Sequence, residues 1–265
     1  MNQEILDEIV NQDYSSIDKT IEEFLKNQVS KSNASGLIFG LSGGVDSAVT
    51  GYLCHRALPD KTMTLLLPDS KISPKSETED AIKIVEELKL DYKLIDISPI
   101  VSQYSKYLEP SERALGNLRA RIRANLLYYY ANLKKYLVVG SSDKSEFLIG
   151  YFTKFGDGSA DILPIVSLYK TQVRKIGEFL GISQSILSKK SSPNLWHGHI
   201  AEEELGMSYE EIDSILYCLF EKKLSVDETA KLTQIEKSTV NKVNQLYQTS
   251  HHKRITAPIP FEELR

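Results

Sequence analysis

The stretch Gly40-Leu41-Ser42-Gly43-Gly44-Val45-Asp46-Ser47 joins a short apolar segment, 36–41, to a segment of helical character, 47–57. The apolar run predicts a buried strand, and the apolar stripe after it predicts a helix. In a strand, glycine turn and helix, backbone N–H groups can converge with no Cβ between them, and the helix N-terminus adds its positive dipole end. The stretch therefore predicts a phosphate-binding loop, with Ser42 and Ser47 as further donors.

Asp46 is unusual in such a loop, because a carboxylate repels phosphate unless a cation lies between them. Mg²⁺ is commonly held by one or two carboxylates together with substrate phosphates, so Asp46 predicts Mg²⁺ bound with a nucleotide. No lysine follows the glycines, and the GxxxxGK[ST] pattern of the common kinase and GTPase loop is absent.

The composition is that of an ordinary globular protein. The chain has 265 residues, a net charge of −4 and two cysteines, Cys54 and Cys218, which have no paired spacing. This excludes a global bias towards nucleic acid and favours neither a disulfide framework nor a zinc site. The acidic, amphipathic N-terminus is unlike a signal peptide, and no apolar run approaches the roughly 20 residues of a membrane span. We expect a soluble, cytoplasmic protein with no membrane or nucleic-acid partner.

Apolar runs separated by helical segments predict an α/β fold, with a doubly wound parallel sheet and flanking helices. We expect a single domain, 1–265. Its predicted parts are N-terminal helices, an α/β core and a helical C-terminal part: 1–30, 35–182 and 183–265. Ligands bind beyond the carboxyl ends of the strands in such sheets, so three polar loops are predicted to form one site: 42–47, 68–75 and 140–146.

Further motifs follow the loop in order: Gly116–Arg123 (GNLRARIR), Gly140–Glu146 (GSSDKSE), Gly150–Asp161 (GYFTKFGDGSAD), Glu204–Asp213 (ELGMSYEEID) and His252–Arg254 (HKR). Together with the loop they resemble the ammonia-dependent NAD synthetases, over nearly the whole chain. That family belongs to the N-type ATP pyrophosphatases, or PP-loop enzymes, which have an adenine nucleotide α-hydrolase-like fold and cleave ATP to AMP and pyrophosphate.

The resemblance implies a ligase that forms a carbon–nitrogen (amide) bond. ATP adenylates the nicotinate carboxylate of deamido-NAD, and ammonia then attacks to give NAD, AMP and pyrophosphate. No segment has the length of a glutaminase, so free ammonia is the expected nitrogen source. The family also implies a homodimer, for which the predicted long helix 110–134, with Tyr128, Tyr129 and Tyr130, is a candidate interface element.

Site residues follow from the same resemblance. The catalytic residues would be Asp46 and Lys170, and the Mg²⁺ ligands would be Asp46 and Glu146. ATP would be bound by the whole loop, Gly40 to Ser47, and by Ser141, Lys170 and Ser192. Deamido-NAD would be bound by Arg121, Lys154, Asp161, His252 and Lys253.

Two features depart from a simple transfer of roles. Arg119 and Arg123 lie one turn apart on one helix face, whereas Arg121 points about 200° away from Arg119. Only Arg121 is assigned to substrate, and the other two are interpreted as interface or surface charges.

The family commonly has Gln-Thr-Asp-Glu where this chain has 199–202 (HIAE), so the family's Asp is absent there.

Three alternatives stay open. Another PP-loop adenylating enzyme, tRNA-modifying or similar to GMP synthetase, would call for a basic face or reactive cysteines. A non-catalytic nucleotide-binding module would keep the fold without turnover. Residues 224–243 have the spacing of a helix–turn–helix, but Glu236 offsets Lys237 and Lys242, which favours a packed helix pair that presents the His252–Arg254 tail.

Overall fold

A four-stranded parallel sheet lies at the centre of the protein. The computed structural model describes residues 2–258 and 260, and the strands are β1 (Gly36–Gly40), β2 (Thr62–Leu66), β3 (Asp91–Leu94) and β4 (Tyr136–Val139). The strand order is β3-β2-β1-β4, and all three pairings are parallel. The chain adds β2 and β3 on one side of β1 and then places β4 on the other. The order therefore reverses between β1 and β4, which is where ligands bind in open parallel sheets.

Helices flank the sheet and continue into the C-terminal part. Those up to residue 179 are α1 (Gln3–Val10), α2 (Tyr14–Ser32), α3 (Val45–Ala57), α4 (Lys75–Leu88), α5 (Ser98–Ser105), α6 (Glu112–Lys134), α7 (Lys144–Ile149) and α8 (Lys170–Phe179), with a 3₁₀ turn at Pro59–Lys61. The later ones are α9 (Gln184–Leu187), α10 (Ala201–Leu205), α11 (Tyr209–Leu216), α12 (Val226–Thr233), α13 (Lys237–Thr249) and α14 (His251–Arg254), and a π turn, Tyr217–Glu221, extends α11. The predicted α/β fold is confirmed.

Alternation along β1 divides the core in two. Leu37 and Phe39 pack into the cluster that α2, α3, α4 and α8 cover. Ile38 points to the opposite face, where it joins the cluster under α5 and α6. A strand that is buried on both faces, as β1 is, reads as a continuous apolar run. This is why the segment 36–41 could be recognised as a strand from the sequence.

The C-terminal helices build a third apolar cluster, which also takes Ile5 and Ile9 from α1. Within it α12 packs on α13, and α13 contacts both α7 and α11. Lys237 pairs with Asp227, and the Lys242 ammonium donates to the Leu205 carbonyl. This is the packed helix pair that the sequence favours, and α14 extends it to the His252–Arg254 tail.

Within the part of the chain that the structure describes, no helix has the length and apolar character needed to cross a membrane. The single-domain interpretation of 1–265 stays a prediction, and residues 1, 259 and 261–265 lie outside the described residues.

Candidate active site

The phosphate-binding loop lies at the reversal of strand order, between the end of β1 and the start of α3. Gly43 has φ +84°, and a Cβ there would lie 2.2 Å from the Glu77 carbonyl oxygen, so only glycine fits. The Ser42 N–H donates to Ser47 Oγ at 3.1 Å, and the Ser47 hydroxyl donates to the Gly44 carbonyl at 3.0 Å. These bonds curl the loop around the N-terminus of α3.

Three carboxylates meet beside this loop around one buried ammonium. Lys170 is the first residue of α8 and is fully buried. Its Nζ lies 2.7 Å from Asp46, 2.6 Å from Asp143 and 2.9 Å from Glu146. Asp46 lies in the first turn of α3, whereas Asp143 caps α7 and Glu146 lies in its first turn. The structure thus brings Asp46, Glu146 and Lys170 together, as the sequence predicts.

The charges in this acidic cluster (Asp46, Asp143 and Glu146) are not balanced by the protein alone. Burial raises the pKa of Asp143 and of Glu146, and repulsion by neighbouring carboxylates, Asp46 for both and Asp143 for Glu146, adds to this effect. Burial opposes the charge on Lys170 too, but the surrounding carboxylates raise its pKa well above the ordinary value. One ammonium neutralises only one carboxylate, so two negative charges remain when all are ionised.

A divalent cation fits these residues. One carboxylate oxygen from each of the three lies within 4.8 Å of the others. Asp46 Oδ1 is buried and accepts no hydrogen bond from the described residues. An all-oxygen donor set with an unused, buried acceptor is the chemistry that Mg²⁺ prefers.

Sequence reasoning missed Asp143 as a member of the cluster. Its carboxylate accepts the Glu146 N–H at 2.8 Å, so it also acts as the N-cap of α7. A capping role is the default for an Asp three residues before a helical Glu. Its position in the GSSDKSE motif, at the end of β4, was the signal that could have identified it.

A small polar cavity of about 110 Å³ lies against the phosphate-binding loop, and we call it the phosphate cavity. Ser42, Ser141 and Ser192 line it, as predicted for ATP-binding residues, together with Lys189 and Lys190. The Lys189 ammonium donates to the Gly43 carbonyl at 2.9 Å and pairs with Asp80 at 2.7 Å. No motif pointed to Lys189, which only the folded chain places beside the loop.

A second cavity of about 250 Å³, the apolar cavity, runs from the loop along the ends of β2 and β4. More of its surface is apolar than in the phosphate cavity, although about half of its lining residues are polar, Glu77 and Arg123 among them. Arg123 donates to the Leu67 carbonyl at 2.9 Å, and burial lowers its pKa to about 10. A cavity of this character suits a flat heterocycle, with polar groups at its margin.

The interpretation of Arg119 and Arg123 as interface or surface charges is wrong. Arg119 is buried, lies 2.7 Å from Asp69 and donates to the Leu195 carbonyl at 3.0 Å. The face of α6 that carries both arginines turns inward to the loops that end the strands. Their spacing established that they share a face, but only the packing of α6 shows which face is inward.

A third cavity of about 360 Å³, the tail cavity, includes His252 and Lys253 of α14. The Lys253 ammonium donates to the Gly150 carbonyl at 2.7 Å and to the Phe152 carbonyl at 2.8 Å. Gly150, at φ +69°, allows this approach, since a Cβ there would lie 2.1 Å from Ser250 Cβ. Tyr151 lines both this cavity and the apolar cavity, so the two lie side by side.

The residues predicted for deamido-NAD are only partly brought together. The Lys154 ammonium donates to the His252 carbonyl, and Arg121 donates to the Lys154 carbonyl at 3.2 Å. Asp161 is not part of this chain of hydrogen bonds: its carboxylate accepts the Val138 N–H at 2.8 Å and the Tyr128 hydroxyl at 3.3 Å.

His199, the first residue of the atypical stretch 199–202, lines the tail cavity. His199 is buried, and its Nε2 lies 2.7 Å from Glu204 and 3.0 Å from the Tyr151 hydroxyl. Its ring stacks on Trp196 with centroids 3.5 Å apart. These contacts give His199 a packing and hydrogen-bonding role.

The parallel sheet, the glycine loop at its switch point and the acidic cluster beside that loop define an α/β protein of the PP-loop type. The family model for NAD synthase matches residues 17–257. The chain belongs to the NAD synthase family. An NH(3)-dependent NAD(+) synthetase of Hyperthermus butylicus is 51% identical, over 96% of this chain and 94% of the other. Its counterpart of Staphylothermus marinus is 49% identical over the same shares.

Solved structures agree with this assignment. An NMN synthetase from Francisella tularensis has a TM-score of 0.83 at 32% identity, covering 94% of this chain and 99% of the other. An NH3-dependent NAD synthetase from Campylobacter jejuni has a TM-score of 0.80, also at 32% identity and with the same shares covered.

Proposed function

We propose that this chain is an ammonia-dependent NAD synthetase, which adenylates the nicotinate carboxylate of deamido-NAD with ATP and then replaces AMP by ammonia. The observation that carries the proposal is that the apolar cavity lies beside the tail cavity and borders the acidic cluster. Tyr151 lines both cavities, and Glu146 of the cluster lines the apolar one. One site can therefore hold two nucleotides with their reacting groups adjacent.

The chemistry needs an activation step. A carboxylate carbon is a poor electrophile, and its leaving group would be oxide. Attack of a carboxylate oxygen on the α-phosphorus of ATP forms a mixed anhydride and releases pyrophosphate. Ammonia then adds to the acyl carbon, AMP leaves, and one proton is released as the amide forms. Positioning and charge neutralisation are the main tasks left to the protein.

The phosphate-binding loop would hold the phosphates of ATP, through its backbone N–H groups and the hydroxyls of Ser42 and Ser47. Mg²⁺ held by Asp46, Asp143 and Glu146 would supply positive charge to the phosphate oxygens and to the leaving pyrophosphate. Lys170 keeps the three carboxylates together, and Lys189 adds a cation at the mouth of the phosphate cavity. Ser141 and Ser192 offer hydroxyls to the same cavity.

Deamido-NAD would occupy the tail cavity, where Lys253 and His252 present basic groups to an anionic ligand. Arg121 and Lys154 extend this basic region, since Arg121 binds the Lys154 carbonyl and Lys154 binds the His252 carbonyl. In the free protein these side chains hold one another and the backbone. Substrate binding would exchange some of those hydrogen bonds for phosphate contacts.

We also propose that the enzyme is a cytoplasmic homodimer. Tyr129 and Leu133 of α6 are 59% and 63% exposed, so this helix keeps an uncovered apolar strip. Tyr128 and Tyr130 pack instead against the core under α6. Both cysteines are buried and free, as in a reducing compartment. Sedimentation of the purified protein tests the dimer, and Tyr129→Glu should shift it to monomer.

The test is a product analysis of purified protein with MgATP and ammonium. With deamido-NAD we expect NAD, AMP and pyrophosphate in equal amounts. Nicotinate mononucleotide should be the poorer substrate; it is included because an NMN synthetase shares the fold. Formation of ADP, or turnover only with the mononucleotide, would overturn the proposal.

A further inference from the structure

The N-terminus of α8 is held by a carboxylate from a different helix. The first N–H groups of a helix have no partner within it. Here the Lys170 N–H donates to Ser145 Oγ at 2.9 Å, and the Thr171 N–H donates to Asp213 Oδ2 at 2.9 Å. Asp213 belongs to α11, so the C-terminal part caps the helix that carries the lysine of the acidic cluster.

The same carboxylate also holds α7. The Ser145 hydroxyl donates to Asp213 Oδ1, and Ser145 immediately precedes Glu146 of the acidic cluster. Ser145 and Asp213 are both fully buried. One directed chain of hydrogen bonds thus runs from the Lys170 N–H through the Ser145 hydroxyl to Asp213, which also takes the Thr171 N–H.

We propose that Asp213, acting through Ser145, is a positioning residue that fixes Glu146 and Lys170 in their reactive arrangement. Asp213 does not touch the acidic cluster itself. It sets the starting points of α7 and α8, the helices that carry Glu146 and Lys170. This inference rests on the proposed function for its assay and assigns a role to α11, which carries no predicted ligand.

Stability alone does not account for a charge at this place. A buried carboxylate must be desolvated, and well-packed apolar replacements for buried ionic groups are often neutral or stabilising. The contact between α11 and α8 also has an ion pair, Glu210 with Arg174 at 2.8 Å, at the partly exposed side of the two helices. Asp213 differs from Glu210 in that both of its oxygens accept, one from the N-terminus of α8 and the other from Ser145 at the start of α7.

The hydrogen-bond pattern explains why an amide cannot replace the acid. Ser145 accepts one N–H and must therefore donate its own proton, and Asp213 accepts at both oxygens. In Asp213→Asn the single amide oxygen can accept from Ser145 or from the Thr171 N–H but not from both, and the amide nitrogen then faces the other group as a second donor. Either the Ser145 hydroxyl or the N-terminus of α8 loses its acceptor, so Glu146 and Lys170 are no longer held in one register.

The experiment compares Asp213→Asn with Glu210→Gln, since each removes one charge of α11 that contacts α8. Steady-state kinetics with MgATP, ammonium and deamido-NAD give kcat and KM, and thermal unfolding with and without Mg²⁺ gives a readout independent of turnover. For Asp213→Asn we expect kcat to fall about 100-fold, the effect of a displacement near 1 Å at a reacting group. We expect KM for deamido-NAD to stay within about threefold, and the Mg²⁺-induced rise in Tm to shrink.

Glu210→Gln should match wild type in kcat and in the Mg²⁺-induced rise. A kcat of Asp213→Asn within about threefold of wild type overturns the inference, as does an equal loss in both variants. If Asp213→Asn fails to fold, Ser145→Ala is the second test, because it removes the middle member of the same chain of hydrogen bonds. A wild-type kcat in Ser145→Ala would overturn the inference. An inactive wild type would instead refute the proposed function.

Discussion

Replacement of Lys170 by methionine isolates the electrostatics of the acidic cluster. The substitution keeps most of the side-chain volume but removes the ammonium. The three carboxylates, each 2.6–2.9 Å from Lys170 Nζ in the wild type, then lie close together without a cation between them. Removing one partner of a buried ion pair costs about 3–5 kcal/mol of stability. In a protein of this size that lowers Tm by roughly 10 °C.

Lys175→Met is the matched control, because it makes the same change on the same helix. Lys175 pairs with Glu178 at 2.9 Å, but both side chains are nearly half exposed, at 45% and 47%. Such a pair contributes about 0–1 kcal/mol. Thermal unfolding in chelator should therefore show a large deficit for Lys170→Met and almost none for Lys175→Met.

Mg²⁺ and pH should change the deficit in defined directions. Added Mg²⁺ should reduce it, because a dication can neutralise the carboxylates that the ammonium has left. Burial raises the pKa of Asp143 from 3.8 to about 6 and that of Glu146 from 4.5 to about 8. Between pH 3.8 and about 8 the folded state therefore binds more protons than the unfolded state. The free energy of unfolding consequently falls as pH rises through this range.

The Lys170 ammonium lowers the pKa of both carboxyl groups. Its loss therefore raises both pKa values further and makes stability fall more steeply with pH. The deficit of Lys170→Met should consequently be larger at pH 8 than at pH 5. Equal destabilisation by the two methionine variants, or a deficit that neither Mg²⁺ nor pH changes, would refute this electrostatic reasoning.

Three further predictions concern binding. Asp143→Asn should raise the half-saturating Mg²⁺ concentration at least about tenfold in pyrophosphate release, as ligand-shell changes commonly do; an unchanged Mg²⁺ requirement would remove Asp143 from the metal site. Gly43→Ala should raise KM for ATP, since its Cβ would lie 2.2 Å from the Glu77 carbonyl. Gly181→Ala, at φ +82° but with open space around it, should leave that KM unchanged, and equal effects would contradict a local clash. Lys253→Met should raise KM for deamido-NAD and not for ATP. A parallel rise in both KM values would contradict the assignment of deamido-NAD to the tail cavity.

Strands β1 and β2 could be predicted because nearly all of their residues are buried, so that they form short apolar runs, whereas the edge strand β3 is exposed along its length. The position of the site was predicted from the three polar loops that follow the strands, 42–47, 68–75 and 140–146, and the phosphate-binding loop lies at the switch point between β1 and β4. The chemistry of the loop indicated Asp46, motif resemblance supplied Glu146 and Lys170, and in the fold both carboxylates contact the Lys170 ammonium.

The remaining site residues depend on packing that no local pattern expresses. The local sequence around Asp143 predicts only a helix cap. The spacing of Arg119 and Arg123 is equally typical of a solvent-exposed helix face. Asp213 lies 68 residues from Ser145 in sequence, so their hydrogen bond follows only from the docking of α11. Spacing gives relative orientation along a helix, whereas tertiary packing decides which side is buried.

Oxygen transfer tests the central claim most directly, since it follows the bond that adenylation forms. Deamido-NAD labelled with ¹⁸O in the nicotinate carboxylate is converted with MgATP and ammonium, and the nucleotide products are analysed by mass spectrometry. Attack of the carboxylate on the α-phosphorus places one labelled oxygen in AMP and leaves the other in the amide of NAD. AMP without label, or label in inorganic phosphate beside ADP, would contradict the account.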